Sequence, residues 1–117
     1  MKMLLLLACA VMWSSHAVAH AFLDHATPAV GSVVHAVPSE VRLWFTQRLE
    51  PAFSVVRVLD GNGKRVDQGD AKVEGADASI LLVSLPKLTP GEYRVTWRVL
   101  SVDTHVTEGD FTFNVAP

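Results

Sequence analysis

Four histidines lie beyond residue 19: His20, His25, His35 and His105. Two of them are placed where they could hold a metal. If the chain is cut before His20, that residue offers a free α-amine and an imidazole Nδ1 to one ion. The resulting six-membered chelate ring leaves few bonds to order. His105 ends the segment Ser101-Val102-Asp103-Thr104-His105. In extended backbone, residues i and i+2 project to the same side, roughly 6.5–7 Å apart. Asp103 and His105 can therefore converge on one ion. An amine nitrogen, two imidazole nitrogens and a carboxylate oxygen form a nitrogen-rich set suited to tetragonal Cu(II), one ion per chain. Zn(II) prefers a tetrahedron, often with thiolate. Cu(I) and blue-copper sites want sulfur, and Cys9, Met1, Met3 and Met12, the chain's whole sulfur inventory, all precede residue 20. An Asp-x-His pair in a loop is common and is ordinarily solvated, so neither half of the constellation is specific alone. His25 could flank the site but reads first as a surface histidine. His35, before Pro38 in a turn-rich segment, reads as solvated.

The free terminus depends on the leader. Lys2 gives a minimal positive start, Leu4 to Trp13 is an unbroken apolar run, and Ser14, Ser15 and His16 are polar. Ala17-Val18-Ala19 then presents the small residues that signal peptidase reads. The run is shorter than the roughly 20 apolar residues that span a bilayer. Residues 1–19 thus read as a cleaved secretory signal and 20–117 as the mature domain. Two other cuts compete. Leu6-Leu7-Ala8-Cys9 loosely resembles a lipoprotein box, with an apolar run of about five residues where roughly 7–15 are usual. Cleavage after Ala21 would begin the chain at Phe22. Either would abolish the terminal chelate.

A formal net charge of -2 and a pI near 6.2 leave no clustered basic footprint for nucleic acid or an anionic membrane. The length supports one domain, and without a disulfide that domain relies on its core. Period-2 alternation dominates it. Val41, Leu43 and Phe45 face one way, with Arg42, Trp44 and Thr46 opposite. Ser54, Val56 and Val58 form another stripe, as do Tyr93, Val95, Trp97 and Val99, and Phe111, Phe113 and Val115. Ile80 to Leu85 is a short apolar strand. Asp60-Gly61-Asn62-Gly63 is a strong turn signal, and Thr89-Pro90-Gly91 presets a second. No stretch has sustained helical spacing. Short strands at this spacing predict a β-sandwich or Greek-key barrel, with Trp44 and Trp97 as large fillers between the sheets.

These residues resemble a known family. His20-Ala21-Phe22-Leu23, Ala26-Thr27-Pro28-Ala29 and Gly31-Ser32 resemble the opening of the CopC family of periplasmic copper-resistance proteins. Pro38 to Phe45 resembles its first long strand, and Gly91 to Val99, Ser101 to His105 and Gly109 to Phe113 resemble its C-terminal hairpin. The stretch from Arg48 to Leu88 is generic β sequence. The resemblance implies a seven-stranded Greek-key β-barrel or sandwich, cupredoxin or immunoglobulin-like. It implies a Cu(II) site of the His20 amine and imidazole with Asp103 and His105, a monomer, and an inner-membrane copper-transport partner. Two departures stand out. Some members bind Cu(I) in a Met-rich loop that this chain lacks. Many also place a Glu near the copper where Gln47 stands here, and Gln adds no charge.

The expected function is therefore periplasmic Cu(II) sequestration or delivery without catalysis. Two other classes stay open. Terminal-histidine copper oxygenases share the chelate but need a broad substrate face, and this chain spends nearly all its length on the sandwich. A plain immunoglobulin-like interaction module would need no metal at all.

Overall fold

The computed structural model describes residues 20–117; the expected signal segment lies outside them. In chain order the strands are β1 (Leu23–Thr27), β2 (Val33–Val34), β3 (Glu40–Phe45), β4 (Val55–Leu59), β5 (Lys72–Val73), β6 (Ile80–Ser84), β7 (Gly91–Leu100) and β8 (Val106–Val115). One sheet runs β1-β3-β6-β5, the other β2-β8-β7-β4. All neighbours are antiparallel except β2, which runs parallel to β8. The expected all-β sandwich is what forms. Among the described residues there are eight strands where seven were expected, and β2 and β5 are each two-residue pairings on a sheet edge. The only helical turn among them is a 3₁₀ turn at Pro51–Phe53.

Alternation places the core. Val41 and Leu43 of β3, Val56 and Val58 of β4, Val95 and Val99 of β7 and Phe113 of β8 are fully buried. Each such side chain contributes about 1.5–3 kcal/mol relative to exposure. Tyr93 stacks on its cross-strand partner Phe113 at 5.7 Å, and its hydroxyl donates back to Thr89 O at 2.6 Å. That contact pins the chain where it enters β7. In the Asp60–Gly63 turn, Asp60 Oδ1 accepts from the amides of Asn62 and Lys64, both at 2.9 Å, and Gly63 adopts φ +78. The following segment runs back along β4. There Asp67 accepts from the Val58 amide at 2.9 Å and from Arg65, covering the strand edge.

Of the two tryptophans, one meets expectation and one does not. Trp97 does pack against the core, edge-on to Phe45 at 5.1 Å. Trp44 does not fill the space between the sheets. It lies half-buried on the outer face of β3, because it shares the parity of Arg42, not of Leu43. There it stacks on His25 at 4.3 Å, with the Arg42 guanidinium 5.8 Å from its ring centre.

Candidate metal centre at one end of the sandwich

The turn between β7 and β8 is built on Ser101, which is fully buried. Its amide donates to His105 O at 3.0 Å, and its carbonyl accepts from Thr104 N at 2.9 Å. Its hydroxyl donates to Asp103 Oδ1 and accepts from the His105 amide at 3.3 Å. Closing so tight a loop forces Thr104 to φ +70, the left-handed region that β-branched residues avoid. The Val102 amide donates to Arg48 O at 3.0 Å, tying the turn to the β3–β4 connection. The Ser101 hydroxyl first, and His105 second, hold the Asp103 carboxyl below the usual carboxylate range against the opposing effect of desolvation.

The segment His20–Phe22 crosses this end and joins both sheets. Ala21 is fully buried in the core cluster. From one sheet, Thr46 just past β3 accepts from the Phe22 amide at 3.0 Å and donates to His20 O at 3.2 Å through the same hydroxyl. Its amide donates to Phe22 O at 2.9 Å. From the other, Thr107 on β8 donates to Ala21 O at 2.7 Å.

This arrangement sets the His20 ring against the His105 ring, with centroids 4.6 Å apart and planes at 88°. The Nδ1 atoms of both rings are buried and have no hydrogen-bond partner. Buried polar atoms are ordinarily satisfied, and each exception calls for a reason. Asp103 Oδ1 lies 3.4 Å from His105 Nδ1, an electrostatic contact without hydrogen-bond geometry. Among the described residues no three His, Cys, Asp or Glu side chains close into a ready metal cage. His20 and His105 are brought together, and Asp103 stands beside His105 with one oxygen engaged by Ser101. The fourth expected donor, the amine of a chain cut before His20, is not a side chain.

The other candidates fall elsewhere. His25 sits on β1, its Nδ1 2.7 Å from Asp24 Oδ2 and its ring on Trp44. His35 is exposed beyond β2, and Gln47 is half-buried beside Thr46. A groove of about 540 Å³ lies on the outer face of β4, β7 and β8, between Arg57, Arg98, Glu108 and Asp110, away from the histidine pair. Sequence reasoning missed Ser101, Thr46 and Thr107 as parts of this end.

Two packed antiparallel sheets, closed at one end by facing imidazoles with free ring nitrogens, define a small β-sandwich with the donor chemistry of a metal-binding domain. The CopC domain family matches residues 23–116. Protein YobA of Escherichia coli (strain K12) is 38% identical over 98 residues, covering 83% of this chain and 79% of that one. Copper resistance protein C of Pseudomonas syringae pv. tomato is 35% identical over 116 residues, covering 94% and 91%. The crystal structure of CopC from Methylosinus trichosporium OB3b superposes with a TM-score of 0.79 at 41% identity, covering 84% of this chain and 95% of that one. The chain belongs to the CopC family.

Proposed function

We propose that this protein binds copper for copper resistance, taking one Cu(II) per chain at the end of the sandwich where His20 and His105 meet. Family membership and relatives named for copper resistance support copper as the metal. The observation that carries the location is the pair of buried, unpartnered Nδ1 atoms on facing rings. A metal gives both a partner. In this reading residues 1–19 are removed during export to the periplasm, and the freed His20 amine joins its own Nδ1 in the chelate. Asp103 supplies a negative oxygen next to His105. Residues 20–117 contain neither Met nor Cys, so the donor set favours Cu(II) over soft Cu(I). The protein works as a carrier or buffer, passing the ion to an inner-membrane copper-transport partner, and performs no catalysis.

Intact mass of the exported protein, with and without Cu(II), tests start site and stoichiometry together. The expected result is a chain beginning at His20 that gains one copper. A chain beginning at Phe22, a lipid on Cys9, or no copper adduct would overturn the reading.

A further inference from the structure

The His20 ring makes no hydrogen bond through Nδ1, and its aromatic neighbours are His105 and Phe22. Phe22 is 58% exposed and cannot hold a ring in place. The position of His20 is therefore set through its backbone. Three hydrogen bonds from threonine hydroxyls act on that backbone. Thr46 Oγ1 grips both His20 O and Phe22 N, and Thr107 Oγ1 grips Ala21 O. Between these grips the Ala21 methyl is fully buried.

The grips are not equivalent to generic sheet pairing. Thr107 stands two residues beyond His105, at the start of β8. Its hydroxyl holds the residue immediately after His20. His20-Ala21 is thus registered against His105 and Thr107, one residue pair matched to the other. Thr46 does the same from the opposite sheet. A terminal residue is ordinarily among the most mobile parts of a domain. Ordering it only on metal binding would cost backbone entropy of about 1–2 kcal/mol per residue.

We propose that Thr46 and Thr107 are positioning residues for copper. They form a two-sheet clamp that presets His20 opposite His105 before the ion arrives. This inference rests on the copper site proposed above. It makes the clamp a determinant of affinity without a ligand atom, and it assigns Ala21 a role as the small residue the clamp closes over.

The test uses the protein beginning at His20, with Thr46→Val, Thr107→Val and the matching Ser variants. Val keeps the shape and removes the hydroxyl; Ser keeps the hydroxyl. Cu(II) affinity is measured by competition, the coordination by electron paramagnetic resonance, and folding by circular dichroism. Each Val substitution is expected to weaken copper roughly three- to tenfold, the scale of one hydrogen bond, and to alter the nitrogen hyperfine pattern, while Ser restores both. In a His20→Ala background the Val substitutions should cause a smaller loss, since the clamp then positions the terminal amine alone. Val variants that fold and bind copper with native affinity and spectrum would overturn the clamp. So would an undiminished loss in the His20→Ala background. If a Val variant does not fold, Thr→Ala at the same position replaces it in both backgrounds: weakening that shrinks without the His20 ring supports the clamp, and equal weakening with and without that ring contradicts it. His105→Ala is the separate control. If it keeps native copper binding, the proposed site itself fails, whatever the threonines do.

Discussion

The molecule holds two histidines beside aspartates, and they are in opposite chemical states. His25 is 58% exposed in its side chain, with Nδ1 2.7 Å from Asp24 and its ring flat on Trp44. Every preference of that ring is already met by solvent, a carboxylate and an aromatic face. His105 also has an aspartate near, but at 3.4 Å and off the hydrogen-bond direction. Its Nδ1 is buried without a partner, and the ring facing it has the same deficit. Proximity of Asp to His therefore does not by itself mark a candidate metal site. What matters is whether the nitrogen has been left free where water cannot reach it. The Asp103 oxygen nearest His105 is the one that accepts from the Ser101 hydroxyl.

His105→Ala should weaken Cu(II) binding by orders of magnitude, Asp103→Ala by less, and His25→Ala not measurably, all read by competition titration. Loss of affinity in His25→Ala equal to that in His105→Ala would erase the distinction. The two tryptophans carry the same contrast into stability. A Cβ at Gly109 would meet Trp97 Cζ2 at 2.6 Å, and that ring is backed by Phe45. Gly109→Ala should therefore cost about 1–3 kcal/mol of unfolding free energy, the scale of overpacking. Trp44 lies outside the core, so Trp44→Phe should cost less than Gly109→Ala in the same denaturant titration.

A smaller separation is expected in acid. Protons compete for metal donors, and ordinary imidazoles and α-amines titrate near ~6.5 and ~7.7–8.0. Apparent Cu(II) affinity should fall as pH drops from about 8 to 5. The fold responds lower down. Burial opposes the charge on Asp67, but the Arg65 hydrogen bond, the Val58 and Gly69 amides and the Arg65 charge together hold its carboxyl below the usual carboxylate range. A depressed folded value means stability that is present above the unfolded pKa and lost as pH falls through the folded one. Circular dichroism should thus stay native throughout copper release and decline only below about pH 4. Copper loss coincident with unfolding would contradict the separation.

Much of the fold was legible because alternation in β3, β4, β7 and β8 named the buried faces. The extended backbone expected to bring Asp103 and His105 to one side does not form: residues 101–105 make a tight turn with Thr104 at φ +70, because Ser101 closes the chain onto His105. Trp44 was misplaced because its size argued for the core while its parity argued against, and parity decides which face a strand residue occupies. Ser101, Thr46 and Thr107 gave no sequence signal. Their roles depend on which carbonyls and amides long-range folding delivers to their hydroxyls: Thr107 acts on Ala21, 86 residues away. His20 was legible only through the small residues preceding it, which lie outside the described structure.

A chelate at the terminus of a chain beginning at His20, facing His105, needs a free amine. Cu(II) competition titration should therefore compare two proteins, one starting at His20 and one carrying a single extra residue before it. The extension turns the amine into an amide, a poor donor, while Ala21, Thr46 and Thr107 still hold the segment in place. Phe22, mostly exposed, is not needed as an anchor. Both proteins should give the same circular dichroism spectrum, and the extended one should bind Cu(II) orders of magnitude more weakly. Equal affinity in the two folded proteins would contradict the terminal chelate and leave a site made of side chains alone.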